Sequence, residues 1–309
     1  MGVFFDASAY IRLLNGVETY YCLCISFIID NIHCDRRGRD TANTIVNWFR
    51  ELYSFRGMFF ELVKKDFKGK YRNSVLGYLW HIINPLSTII VFGIVFTTIV
   101  LWKQIPDYWI YLPVGMLAWT FFSSSLEHST NCLVRNHNLV NKMYFPREIL
   151  VFSSVATNLV VFLISYMILI VIIPIGNVLN LSNVELNLIV FPLIPIIIIL
   201  EAIFVTGLGL MLSALNVYRR DVSYGVGIVV FLWMWLTPII YFRDRTTLLA
   251  TINQYNPMTY FIDSFHSLLY FGTFPAYQDL LLCVVLAFTA AVAGLLIFKK
   301  LEPRFSEKL

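Results

Sequence analysis

KKDFKGKYRNSVLGYLW, from Lys64 to Trp80, sets five positive charges against one negative in its first nine residues and is then mostly apolar. So abrupt a change marks the border between a water-facing surface and something drier. Composition says what the dry side is: of 309 residues 58% are hydrophobic and only 14% charged, and the mean hydropathy is +0.72. Soluble domains do not have this make-up, and the chain is an all-α integral membrane protein. Its net charge of +4 does not point to nucleic acid, because with so few charges their placement counts for more than their sum.

A bilayer core takes about 20 mostly apolar residues per helical crossing. Six stretches satisfy that length: Tyr78 to Trp102, Tyr108 to Leu126, Ile149 to Ile175, Leu188 to Leu215, Tyr224 to Tyr241 and Leu280 to Phe298. The fourth is interrupted by Pro192, Pro195 and Glu201, and such breaks are tolerated only where neighbours or water meet the freed backbone groups. With both termini in the cytoplasm, twenty Lys and Arg fall in the inner segments and three (Lys103, Arg243, Arg245) in the outer ones. Positive residues are retained inside, so this orientation is the expected one.

The basic collar belongs to a helix. Phe59, Phe60, Leu62, Val63, Phe67 and Tyr71 fall on one half of a wheel, and Glu61, Lys64, Lys65, Lys68 and Arg72 on the other. That pattern predicts an amphipathic helix flat on the inner leaflet. Asp66 and Lys70 intrude on the apolar half, but an acid four residues before a base pairs well. Residues 1–47 read as an extension without assigned role, 48–77 as the interfacial helix region and 78–309 as the six-helix membrane domain. YYCLCISFII, 20–29, is too short to span and has no evident cleavage site. Cys22, Cys24, His33 and Cys34 lack the spacing of a zinc ribbon or finger, so no metal site is expected.

Two connecting segments are organised. Glu127 to Leu150 mixes apolar and polar residues before Pro146 fixes a turn, and reads as a cytoplasmic helix with a docking surface. In the outer segment, Asn256 and Pro257 make an N-cap and first-turn pair for a helix from Met258 to Phe271. Such a helix is too short to cross but long enough to dip into the outer half of the bilayer and return. Arg243, Asp244 and Arg245 read as a solvated charge group in the same segment.

The strings KYRNSVLGYLWHIINPL, KMYFPREIL, NVYRRDV, TPIIY, NPMTYFIDSFHSLLYFG and EPRFSEKL, in this order, resemble the membrane-spanning permease subunit of ABC exporters for lipid-linked polysaccharides. That family serves O-antigen, capsule and teichoic acid export. The resemblance covers about residues 48–309. It implies a homodimer in the bacterial inner membrane, enclosing a channel and driven by two copies of a separate ATPase subunit that binds ATP and Mg. No GxxxxGK[ST] loop occurs in these 309 residues, in keeping with hydrolysis on another chain and no cofactor on this one. The resemblance also implies that Asn136, Lys142, Tyr144, Phe145 and Arg147 form the segment that couples to the ATPase. By the same resemblance, outer re-entrant helices between spans five and six are expected to help close the exit.

A polysaccharide slides on flat aromatic faces, which makes Trp119, Phe122, Trp233, Trp235 and Tyr241 candidates for the channel lining, although aromatics near span ends also form ordinary interfacial belts. Lys68, Lys70 and Arg72 are the candidates for gathering a lipid pyrophosphate at the inner entrance. The small polar residues Ser153, Ser154, Thr157, Asn158 and Ser165 of span three either face a wet channel or join helices, and the sequence leaves both open. Gly207, Gly209, Ser213 and Ala214 read as close helix packing. An ABC exporter of a drug or small lipid is the nearest alternative function. A proton-coupled carrier is a more distant one, since only Glu201 supplies charge within the spans.

Overall fold

The computed structural model describes residues 41–69, 106–180, 189–241 and 248–308, with single positions at 83, 87, 90, 91, 182, 184, 187 and 243. Apart from positions 83, 87, 90 and 91, the first expected span lies outside the described residues, as do the segment 20–29 and Lys70, Arg72, Asp244 and Arg245. Every described element is helical. The chain divides into two units between Tyr53 and Ser54. Helix α1 (Thr41–Ser54) belongs almost wholly to the first, and it begins upstream of the boundary read at 48.

The second unit contains α2 (Arg56–Gly69), α3 (Tyr108–Arg135), α4 (His137–Lys142), α5 (Glu148–Val178), α6 (Leu193–Tyr218) and α7 (Asp221–Leu236). It continues with α8 (Leu248–Tyr255), α9 (Pro257–Leu269), α10 (Tyr277–Leu301), a 3-10 turn at Glu302–Arg304 and α11 (Phe305–Lys308). Among the described residues three helices, α5, α6 and α10, are long and apolar enough to cross a membrane. At 1.5 Å per residue they measure about 46, 39 and 38 Å against a hydrocarbon core of about 30 Å. Their outward stripes are apolar at helical spacing, as with Met167, Val171, Ile175 and Val178 on α5 and Leu281, Val284, Phe288 and Val292 on α10. Helix α7 is apolar but has only 16 residues, about 24 Å.

Helix α3 is less apolar than these because it is sheathed by protein: α5, α6, α7 and α9 all pack against it. A helix shielded from lipid carries serine and histidine where its neighbours satisfy them. It also runs further than the expected second span. No glycine or proline falls between Met116 and Arg135, so the helix continues through Glu127 and takes up the first part of the segment read as a separate cytoplasmic helix. Only α4 remains of that helix. Similarly, Pro192 and Pro195 do not break the fourth span but stand at its start, Pro192 as the N-cap and Pro195 in the first turn. The first backbone N–H groups of a helix have no intrahelical partner, so proline costs little there.

The α6–α10 crossing is the most extensive in the unit and is made by glycines. A methyl group on Gly207 would run into the backbone of Ala290 and Ala291, and one on Gly294 would run into the backbone of Gly207. Small residues let two membrane helices approach this closely. Ser213 and Ala214 are buried on the same helix, and a side chain at Gly209 would meet Ser129 of α3. The close-packing reading of that row therefore holds.

Helix α9 starts as expected: the Asn256 side chain accepts a hydrogen bond from the Met258 N–H, with Pro257 in the first turn. It ends at Leu269 rather than Phe271.

Candidate functional site at the basic end of the bundle

The last turns of α2, α3, α6 and α10 and the first turns of α5 and α7 gather at one end of the unit, carrying most of its described lysines and arginines. Residue contacts link them: Lys65 to Asn136, Asn216 to the Thr130 carbonyl, Arg147 to the Glu302 carbonyl and Tyr218 to the Leu301 carbonyl. Helix α2 lies along α5 with Leu62 buried and Phe59, Val63 and Phe67 half-buried, while Lys64, Lys65 and Lys68 are exposed. Phe60 departs from the expected apolar face and is 64% exposed, because the buried strip is centred on Leu62 and Phe60 lies about 160° round the helix from it.

Between α2, α3 and α5 lies a cavity of about 110 Å³ lined by Lys65, Asp66, His128, Cys132, Arg135, Asn136 and Ser154. Two permanent cations face one carboxylate there. Asn136 is its organising residue. Its side-chain NH2 donates to the Cys132 carbonyl at 2.9 Å and its own N–H to the same oxygen at 3.1 Å, which ends α3. Its amide oxygen accepts from Lys65 Nζ at 3.0 Å. His128 Nδ1 lies 3.1 Å from Asn158 Oδ1 on α5. The arrangement is a concave, net-positive niche of a size for a phosphate group or a few waters.

Of the residues expected to couple to an ATPase, Lys142 ends α4 and is exposed, and Tyr144 is 88% exposed. The neighbouring Phe145 is buried, so it anchors the segment that presents Tyr144. Arg147 faces inward: Nη1 donates to the Glu302 carbonyl at 2.6 Å and the guanidinium lies 5.7 Å from the Phe305 ring centroid. Lys68 is exposed in the last turn of α2.

The aromatic candidates divide. Trp119 and Phe122 are buried within this chain, and Trp233 packs edge-on against Phe122 at 5.3 Å. Trp233 Nε1 also donates to Asn256 Oδ1 at 2.8 Å, tying α7 to the cap of α9. Trp235 is 55% exposed. Tyr241 is half-buried, and its hydroxyl donates to Asn253 Oδ1 at 3.4 Å. The small polar stripe of α5 is buried, and Ser153, Thr157, Asn158 and Ser165 donate to carbonyls of the preceding turn of their own helix. Within this chain the stripe serves packing, with Ser154 reaching the cavity.

At the opposite end Arg243, the described member of the charge group read as solvated, is tied down. Arg243 pairs with Asp263 at 3.1 Å and Asp279 at 3.5 Å and lies over the Tyr260 ring. The Asp263 carboxyl is pushed up to about 7, first by burial, with Arg243 opposing and Asp279 adding to the rise. Glu201 is fully buried in the third turn of α6, with neither oxygen hydrogen-bonded. Among the described residues no group of three His, Cys, Asp or Glu side chains gathers to hold a metal ion. The sequence reading passed over Lys65, His128 and Arg135 as a group because they come from two helices that meet only in the fold; the basic half of α2 was their one trace.

Long apolar helices packed through glycines, with an organised basic end and an exposed tip beside it, define the membrane-embedded subunit of a transporter. The chain belongs to the ABC-2 type transporter family, whose sequence model matches residues 58–270. It is a permease subunit, and the ATPase is a separate chain. Among its relatives is the O-antigen export system permease protein RfbA of Myxococcus xanthus, 29% identical over 86% of this chain and all of the relative. Another is the protein of the same name from Klebsiella pneumoniae, 32% identical over 80% of this chain and 93% of the relative.

Proposed function

We propose that this permease exports a lipid-linked polysaccharide of the O-antigen kind from the cytoplasmic side of a bacterial inner membrane, as a homodimer joined to two ATPase subunits. The observation that carries this reading is kinship over nearly the whole chain with permeases named for O-antigen export. Six spans per subunit follow from the six apolar stretches, and both termini inside from the twenty-to-three distribution of Lys and Arg. A second copy supplies what α7 lacks. Tyr224, Ile228, Phe231 and Trp235 recur at helical spacing and are exposed, and among the described residues nothing lies within 4 Å of a methyl placed on Gly225 or Gly227. Trp235 and Tyr241 then stand nearest to a path between subunits, with Trp119, Phe122 and Trp233 bracing it from behind.

Lys68, with Lys70 and Arg72 following in sequence, brings the lipid pyrophosphate to the entrance, and the niche at Lys65 and Arg135 holds it. Tyr144, presented by buried Phe145, meets the ATPase, with Asn136 and Lys142 flanking it. The test is to delete the chain from its producing strain. Surface polysaccharide should vanish while its lipid-linked form accumulates facing the cytoplasm. Undiminished surface glycan with a defect in the efflux of small amphiphiles would reverse the reading.

A further inference from the structure

The segment that follows α10 is knotted to the start of α5. Lys299 Nζ lies 2.5 Å from Glu148 Oε1 and 3.1 Å from Glu302 Oε2. Arg147 Nη1 donates to the Glu302 carbonyl at 2.6 Å. Phe305 is fully buried, edge-on to Phe298 at 5.4 Å and to Tyr218 at 6.4 Å, with the Arg147 guanidinium over its ring. Tyr218, at the end of α6, donates to the Leu301 carbonyl at 3.1 Å. One knot thus joins the ends of three long helices, and it lies immediately after the exposed tip at Tyr144.

Connectivity makes this matter. A push delivered at Tyr144 reaches α3 and α5 through the backbone, because the tip is the link between them. It has no short covalent path to α10, which is separated from the tip by more than a hundred residues of chain. A charge pair with one fully buried partner resists being pulled apart, since a lone buried charge is costly, and a buried aromatic ring fixes the register of what it plugs.

We propose that Arg147, Glu148, Lys299 and Phe305 form a clasp that makes α10, and with it α6, move with the ATPase-facing tip. These are positioning residues of energy transmission. The proposal rests on the reading of the Tyr144 segment as the coupling element, and it takes Arg147 out of the docking surface and places it inside the chain.

The test uses the whole permease–ATPase complex in lipid nanodiscs, spin-labelled at Asn138 and Lys300, both exposed. In the otherwise unaltered chain the distance between the labels should be the same with and without ATP. In Phe305→Ala and Arg147→Gln, ATP should shift or split it. Allosteric coupling terms commonly amount to roughly 5- to 150-fold, so surface glycan exported in cells by these variants should fall at least about fivefold while ATP hydrolysis persists. Arg147→Lys and Phe305→Leu should largely restore both readouts, which a general loss of folding would not allow. Should Phe305→Ala fail to reach the membrane, Arg147→Gln decides, because Arg147 is only half-buried. Unchanged export in both variants, or an ATP-dependent distance in the unaltered complex, overturns the clasp. Tyr144→Ala leaving hydrolysis and export untouched would instead show that the coupling element is elsewhere, and the clasp would fall with it.

Discussion

Gly207→Ala tests the packing of the unit at its tightest point. The new methyl would lie 2.5 Å from the Ala291 nitrogen and closer still to the Ala290 carbonyl, where ordinary contact begins at 3.4 Å. All three neighbouring atoms are backbone, so no rotamer change relieves the overlap and α6 must separate from α10 by about 1 Å. Overpacking of this kind costs about 1–3 kcal/mol. The separation also loosens Cys283 and Ala287, which are fully buried on α10, so the upper end of that range applies. The expected effect on the purified protein in detergent is a fall of about 5–10 °C in the apparent melting midpoint. Gly57→Ala in α2 is the control. Among the described residues nothing lies within contact distance of it, and alanine is favoured over glycine in a helix by up to about 1 kcal/mol, so its midpoint should hold or rise. Equal midpoints for the two variants would refute the glycine-mediated crossing.

Three further outcomes follow from the same geometry. Asn256→Ala removes the cap of α9 and the acceptor for Trp233, so amide exchange in the first turn of α9 should quicken by about five- to tenfold, as the loss of about 1 kcal/mol predicts. Asp263 has its carboxyl raised to about 7 from a usual 3.8. The outer packing it joins is therefore firmest below pH 4 or so and loosens as pH rises through about 7; Asp279→Asn should lower the midpoint of that transition, read by exchange in α9. Glu201→Gln should leave export and its pH dependence unaltered, whereas a proton-coupled carrier would lose transport outright.

Much of this was legible in the sequence, for identifiable reasons. The spans that became α5, α6 and α10 are long apolar runs, and hydrocarbon thickness alone selects them. The Asn256–Pro257 pair announced the start of α9 because capping is a local matter of a few residues. The end of α3 was not legible. Its continuation through Glu127 and His128 depends on protein neighbours that satisfy polar side chains, and those neighbours come from α5 and α6. Pro192 and Pro195 read as interruptions because the sequence does not say which turn of a helix a proline occupies. The niche and the clasp were least visible, since Lys65 meets Asn136 across 71 residues and Arg147 meets Glu302 across 155. Pairings at such separations are properties of the fold.

The most direct test of the account is transport itself. Purified permease and ATPase subunits in proteoliposomes, supplied with labelled lipid-linked polysaccharide extracted from the producing strain, should move the glycan to the opposite leaflet when ATP and Mg are added. Movement is read as loss or gain of cleavage by an impermeant glycosidase. The account predicts ATP-dependent transfer that Lys65→Gln with Arg135→Gln slows at low substrate and not at saturation. Glycan that stays where it was placed, while the same vesicles pump a small amphiphilic dye on ATP addition, would contradict it.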